Sequence, residues 1–239
     1  MNSTNNKHLD AKLREMFPNG WYELLGDYIT SKKFVNLLTI LIRAYSKTTI
    51  YPADTKNIFR VFKTMGPNDI NCLVLGLDPY PGEATRDIKG NKLEKPIPYA
   101  IGLSFATHNE VKLPRSLEII KSSYDYKYFT NDLQKWVDEG IFLLNSFLTV
   151  EKGKAKSHEK FWREFTSIIL SKLSQENPNI SYLLWGKDAQ SFKNFIRRGH
   201  IVERIHPVAS VYNRKLVFDP GFTEVNNYRI KNNQKSLQL

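Results

Sequence analysis

Asn71-Cys72-Leu73-Val74-Leu75-Gly76-Leu77-Asp78-Pro79-Tyr80-Pro81 is the stretch on which the reading of this chain turns. It begins as a short apolar run bounded by turn residues, the pattern of a strand buried on both faces. Gly76 breaks the run, and Asp78, Pro79, Tyr80 and Pro81 follow at once. The two prolines fix φ and push Asp78 and Tyr80 toward extended geometry, so the turn is stiff. In open α/β sheets, ligands bind beyond the carboxyl ends of the strands. A carboxylate and an aromatic ring held there are either parts of a site or simply a sharp turn.

Outward from this strand the chain alternates between apolar runs and helical periodicity. Upstream, Trp21, Leu24, Leu25, Tyr28, Phe34, Leu37, Leu38 and Leu41 recur at helical spacing. Pro52-Ala53-Asp54 opens a further predicted helix bearing Ile58, Phe59, Phe62 and Met65, stopped by Gly66-Pro67-Asn68. Downstream, residues 82–98 are polar and charged and read as a long surface loop. Pro114, Arg115 and Ser116 start a helix, and another runs from about Asn131 to Glu139 before Gly140. A second strand, Ile141 to Leu144, leads straight into Asn145. A helix over 161–173, a third strand over 180–185 and a helix over 188–198 follow. A fourth strand, 201–205, ends at His206-Pro207, and the polar, basic stretch after Pro220 carries no assignment. The expected fold is α/β, a three-layer sandwich around a central, mainly parallel, four-stranded sheet in one domain over residues 1–239. The opening residues are expected to form a loose tail.

The totals narrow the partners. Among 239 residues, 35 Lys and Arg stand against 24 Asp and Glu, a net charge of +11. That excess favours a polyanion such as nucleic acid; an anionic membrane surface is the competing partner, but no strongly basic amphipathic helix supports it. The single cysteine, Cys72, lies inside the core strand, so no disulfide framework exists and a reducing compartment is indicated. With no secretory signal and no apolar run near membrane-spanning length, an intracellular protein of cytoplasm or nucleus is expected, without membrane association. His8, His108, His158, His200, His206 and Cys72 show no metal-ligand spacing. Neither metal nor cofactor is expected.

Three predicted strands end in residues capable of chemistry, Asp78, Asn145 and His206, and a parallel sheet brings such ends to one edge. Each alone has a plain explanation, in a turn-forming Asn or a structural His. Together with Phe105 at another segment end, they form a constellation.

The motifs Gly76-Leu77-Asp78-Pro79-Tyr80 and His206-Pro207 resemble those of family-1 uracil-DNA glycosylases. So do Gly102-Leu103-Ser104-Phe105, Pro114-Arg115-Ser116-Leu117, Leu143-Leu144-Asn145-Ser146, Leu148-Thr149-Val150 and Leu184-Trp185-Gly186, all in family order between about 72 and 207. The N-terminal helices and the C-terminal tail are outside this match. The resemblance implies base flipping and hydrolysis of the N-glycosidic bond of uracil in single- or double-stranded DNA by a monomer. It implies Asp78 and His206 as catalytic residues, and Leu77, Tyr80, Phe105 and Asn145 around uracil. Ser116, Lys154, Lys156, His158, Ser210, Val211 and Tyr212 would contact DNA, the basic loop being otherwise a solvated one. Leu77 stands where the family has glutamine, and Pro81 where it has histidine. The resulting Asp-Pro-Tyr-Pro is similar to the poxvirus variant. His206-Pro207-Val208-Ala209-Ser210-Val211 lacks the second proline and the leucine that wedges into the emptied stack, a task left to Val211 or Tyr212. Residues 82–98 exceed the family's short turn. The alternative is a DNA-binding adaptor of this fold, with a replication protein as partner.

Overall fold

The computed structural model describes residues 3–127, 129–212 and 217–239; Met1 and Asn2, the first residues of the expected tail, lie outside them. In chain order the elements are α1 (Ser3–Met16), α2 (Trp21–Ile29), α3 (Lys32–Tyr45), β1 (Ile50–Tyr51), β2 (Cys72–Gly76), β3 (Glu83–Arg86) and β4 (Lys92–Pro98). Then come α4 (Arg115–Ser122), α5 (Gln134–Asp138), β5 (Ile141–Asn145), β6 (Val150–Glu151), α6 (Glu159–Glu176) and β7 (Ser181–Trp185). The chain closes with α7 (Lys187–Gln190), β8 (His200–Arg204), α8 (Ala209–Tyr212) and α9 (Phe222–Lys231).

The central sheet has the order β5-β2-β7-β8 with every pairing parallel. β2, β5 and β7 are buried throughout, as continuous apolar runs in a doubly covered sheet should be. Register pairs Leu73 with both Phe142 and Tyr182. Side chains alternate with period two, so Trp185, three residues beyond Tyr182, faces away from Phe142. Aromatic clusters occupy both sides accordingly. Phe142 meets Trp21 and Phe62, which join Phe17, Phe34, Phe59 and Phe165. Trp185 meets Phe218 and Phe222, which lead to Trp136 and Tyr126. The three layers are thus a parallel sheet between two aromatic-rich coverings.

Several expectations are corrected. The expected loose tail is helical from Ser3, and Leu13 and Phe17 are buried in the core; the apolar positions are sparse among polar ones, so the helix is stabilised by packing rather than propensity. The helix expected after Pro52 is instead two 3₁₀ turns, Thr55–Asn57 and Arg60–Lys63, the first capped by Asp54 accepting from the Lys56 amide. Residues 82–98 are a β-hairpin rather than a loop. Its alternation is hidden by charges and by Pro96 and Pro98, which sit on an outer strand where a missing N–H is tolerated. The helix expected over 188–198 is a single turn, α7, and a 3₁₀ turn, Lys193–Phe195. After Pro220, α9 docks on β8, and its buried Arg229 donates to Asn71 and to the Lys235 carbonyl. Among the described residues, no helix is long and apolar enough to cross a membrane.

If α1 is part of the core, Leu13→Ala should lower unfolding free energy by about 2–4 kcal/mol in denaturant titration. A change below about 0.5 kcal/mol would return α1 to the status of a tail.

Candidate active site

β2 delivers the site because it ends in a residue without a side chain. A Cβ on Gly76 would stand 2.6 Å from Asn145 Oδ1 and 2.7 Å from Ser104 Cβ. Gly76 pairs with Asn145 across the sheet, so this closeness lets the amide occupy the strand end. Beyond the pair, the Gly76 carbonyl accepts from both the Ser146 amide and its hydroxyl, each at 2.8 Å. The Phe147 amide donates to Leu77 O at 2.9 Å. The turn after β2 and the turn after β5 are therefore one hydrogen-bonded unit. A cavity of about 320 Å³ opens over it, lined by Leu77, Asp78, Tyr80, Phe105, Asn145 and His206 among others.

Asp78 is half-buried, and its carboxylate accepts from the Lys156 amide at 2.7 Å. Burial pushes its pKa up to about 6, against the opposing pull of that amide and of the Lys156 charge, while Asp188 pushes upward. Lys156 takes a left-handed backbone, φ 63°, to present its amide, and its ammonium pairs with Asp188 at 2.5 Å. His206 is held below the ordinary imidazole range by burial, with Asp188 opposing. Its Nδ1 accepts from the Val208 amide at 3.3 Å. That assigns the proton of the neutral ring to Nε2, making it a donor there. Gly186 backs the ring: a Cβ on Gly186 would lie 2.8 Å from His206 Cβ.

Tyr80 donates its hydroxyl proton to Phe105 O at 3.0 Å and accepts from Ser116 Oγ at 2.8 Å. Phe105 is thereby held at φ 61°, unusual for an aromatic residue. Its ring meets Trp185 at 5.0 Å and the His206 ring at 6.2 Å between centroids. Two aromatic walls, one amide, one carboxylate and one neutral imidazole share the cavity.

The remaining expected residues are distributed less uniformly. Leu77 lines the cavity, where the apolar side chain offers no hydrogen bond. Ser116 is buried against Tyr80 rather than standing free. Lys154 is exposed and pairs with Glu151. Ser210 lies on α8 with its hydroxyl donating to Pro207 O, followed by exposed Val211 and Tyr212. His158 corrects the expectation of a DNA-contacting side chain. It is 3% exposed, and its Nδ1 lies 2.8 Å from Thr149 Oγ1, which also accepts from Trp162 Nε1; the buried chain of polar partners anchors the basic loop from within. Asp188 escaped the sequence reading, although it lies three residues beyond the β7 end, where the strand-end rule that found the others also applies. Arg115 on the cavity rim, paired with Glu118, was quoted within a helix start and the Pro114-Arg115-Ser116-Leu117 motif but given no role. Among the described residues, no cluster of three or more His, Cys, Asp or Glu could hold a metal ion.

A cavity walled by aromatic rings and holding a hydrogen-bonding amide, a carboxylate and a neutral imidazole suits an enzyme that cleaves the bond between a planar base and a sugar. Comparison makes the class specific. The sequence model of the Uracil DNA glycosylase superfamily matches residues 62–229. Uracil-DNA glycosylase of Exiguobacterium sibiricum is 32% identical over 222 residues, covering 90% of this chain and 94% of that protein. That of Buchnera aphidicola is 34% identical over 196 residues, covering 78% and 82%. The crystal structure of mimivirus uracil-DNA glycosylase superposes with a TM-score of 0.78 at 21% identity, covering 97% of this chain and 90% of that one. The chain belongs to the uracil-DNA glycosylase superfamily. It is a uracil-DNA glycosylase, an N-glycosyl hydrolase of DNA repair that removes uracil from DNA.

If Asp78 works ionised, single-turnover release should fall as pH drops through about 6. Asp188→Asn removes a like charge and frees the Lys156 ammonium, both of which favour the Asp78 carboxylate, so the acid limb should move to lower pH. A limb that stays in place would separate Asp188 from the field at Asp78.

Proposed function

We propose that Asp78 holds the attacking water and offsets positive charge on the sugar, while His206 donates through Nε2 to uracil O2. The C1′–N1 bond breaks with its electron pair leaving on the base, water adds to C1′, and Asp78 accepts the water proton. A carboxylate with a pKa of about 6 is ionised at neutral pH yet basic enough for that transfer. A neutral donor suits an anion forming on O2, since it stabilises charge that appears only toward the transition state. The observation that carries this reading is the shared cavity of Asp78, Asn145, Phe105 and His206 at one sheet edge.

Asn145 reads the Watson–Crick edge, accepting from N3 and donating to O4. Cytosine reverses that polarity and would leave buried groups unpaired. Phe105 stacks on the flipped ring, and Tyr80, pinned at its hydroxyl, fills the room a thymine methyl would need. Leu77 closes the cavity without a polar group. Ser116, Ser210, Lys154 and Lys156 contact the DNA backbone, Lys156 after exchanging Asp188 for phosphate. Tyr212, 87% exposed beside His206-Pro207, is the better wedge than Val211 at 40%, since a larger apolar surface gains more from entering the base stack. The Asp78-Pro79-Tyr80-Pro81 turn is of the poxvirus kind, and the enzyme acts as a monomer on single- or double-stranded DNA. The intact residue set in the cavity supports hydrolysis over an adaptor role.

Single-turnover uracil release tests the assignment. Asp78→Asn should slow it by about 10²–10³-fold and His206→Ala by about 10²-fold, with DNA binding little changed. Loss of binding in step with loss of rate would refute the roles. Asn145→Asp should erode the preference for uracil over cytosine, and unchanged selectivity would remove Asn145 from base reading.

A further inference from the structure

We infer that the β3–β4 hairpin is a second DNA-contacting element, which grips the phosphate backbone of the strand flanking the flipped nucleotide. This rests on the glycosylase reading and extends its footprint to residues outside the cavity.

The hairpin is joined to the cavity rim on two sides. It leaves the catalytic turn directly after Pro81, whose carbonyl accepts from the Gly153 amide of the basic loop at 2.8 Å. Glu83 at its base binds Lys152 of that loop and the Tyr51 hydroxyl, each at 2.5 Å. On its other side, Arg86 O accepts from the Lys112 amide and the Ile88 amide donates to Glu110 O, next to rim residues Pro114, Arg115 and Ser116. The hairpin is therefore fixed relative to the pocket at its base, through Pro81 and Glu83, and again at its turn end, through Arg86 and Ile88. Four strand residues at about 3.3 Å each carry the far end on the order of 13 Å or more from that base, several phosphates along a bound strand.

Charge identifies the partner. Lys89, Lys92 and Lys95 are exposed, as is Lys112 beside them, and none forms an ion pair among the described residues. The hairpin's bases, Arg86, Lys89, Lys92 and Lys95, outnumber its acids, Glu83, Asp87 and Glu94. Glu83 is bound to Lys152, and Asp87 accepts from the backbone and side chain of Asn91 to shape the turn. Among the described residues Glu94 has no ion-pair partner, and Glu110 beside the hairpin faces His108. Moreover, Arg86 and Lys92 lie directly opposite each other across the strands, a like-charge arrangement that destabilises a sheet. A bound polyanion removes that penalty. Pro96 and Pro98 on β4 deny N–H donors to a pairing strand, which disfavours a protein partner adding to the edge.

The test compares the parent with a Lys89→Ala, Lys92→Ala, Lys95→Ala triple variant, all at exposed positions outside the cavity. Two uracil substrates are used, a single strand of about five nucleotides and a duplex of about 30 base pairs, with duplex affinity measured across salt. The expected result is a loss of about tenfold or more in kcat/KM on the duplex, unchanged kcat/KM on the short strand, and a salt slope flattened by about 2 to 3. Equal losses on both substrates would overturn the inference, because the effect would then lie in the pocket. So would an unchanged duplex rate and slope. A parent that binds duplex but releases no uracil would instead sink the glycosylase reading, while the difference in salt slopes still decides the hairpin.

Discussion

The close approach of β2 and β5 at Gly76 is the constraint on which the site depends. With hydrogen as its only side chain, Gly76 leaves room for the Asn145 amide, and its carbonyl gathers two donors from Ser146. The parallel register then does the rest. It aligns the ends of β2 and β5 and sets β7 beside them, so the Asp78, Asn145 and Gly186 regions meet without any long-range loop closure of their own. The buried aromatic coverings on both faces hold the strands against sliding, since a slip of one residue would exchange the faces of every side chain.

Electrostatics are organised around one exposed ion pair and two half-buried groups. Burial alone would leave Asp78 poorly ionised and His206 neutral. The Lys156 amide and ammonium pull Asp78 back toward ionisation, while Asp188 limits that pull and holds Lys156 in place. The outcome is a carboxylate that is charged at neutral pH and an imidazole that is not. Both charge states thus arise from partial burial plus one shared acid.

Much of this was legible in the sequence. Continuous apolar runs betray doubly covered strands, and a strand-end rule collects Asp78, Asn145 and His206 on one edge before any coordinates are known. What escaped has physical reasons. The hairpin over 82–98 hides its alternation behind charges and prolines, because both its faces are largely solvated. Helix α1 is stabilised by Leu13 in the core, a tertiary contact with little local signal. His158 reads as one more basic residue of a loop, and only burial reveals it as an anchor to Thr149 and Trp162. Asp188 acts through Lys156, a pairing across 32 positions that no local pattern encodes.

The most direct measurement is single-turnover uracil release by Gly76→Ala, taken with its unfolding free energy and DNA affinity. The added methyl must displace the Asn145 amide or Ser104, and misplacement of a positioning group by about 1 Å costs on the order of 10²-fold in rate. The account predicts a loss of that size in a protein that still folds and still binds DNA. Release at the parental rate would contradict it, showing that the amide at the end of β5 does not depend on the missing side chain at the end of β2.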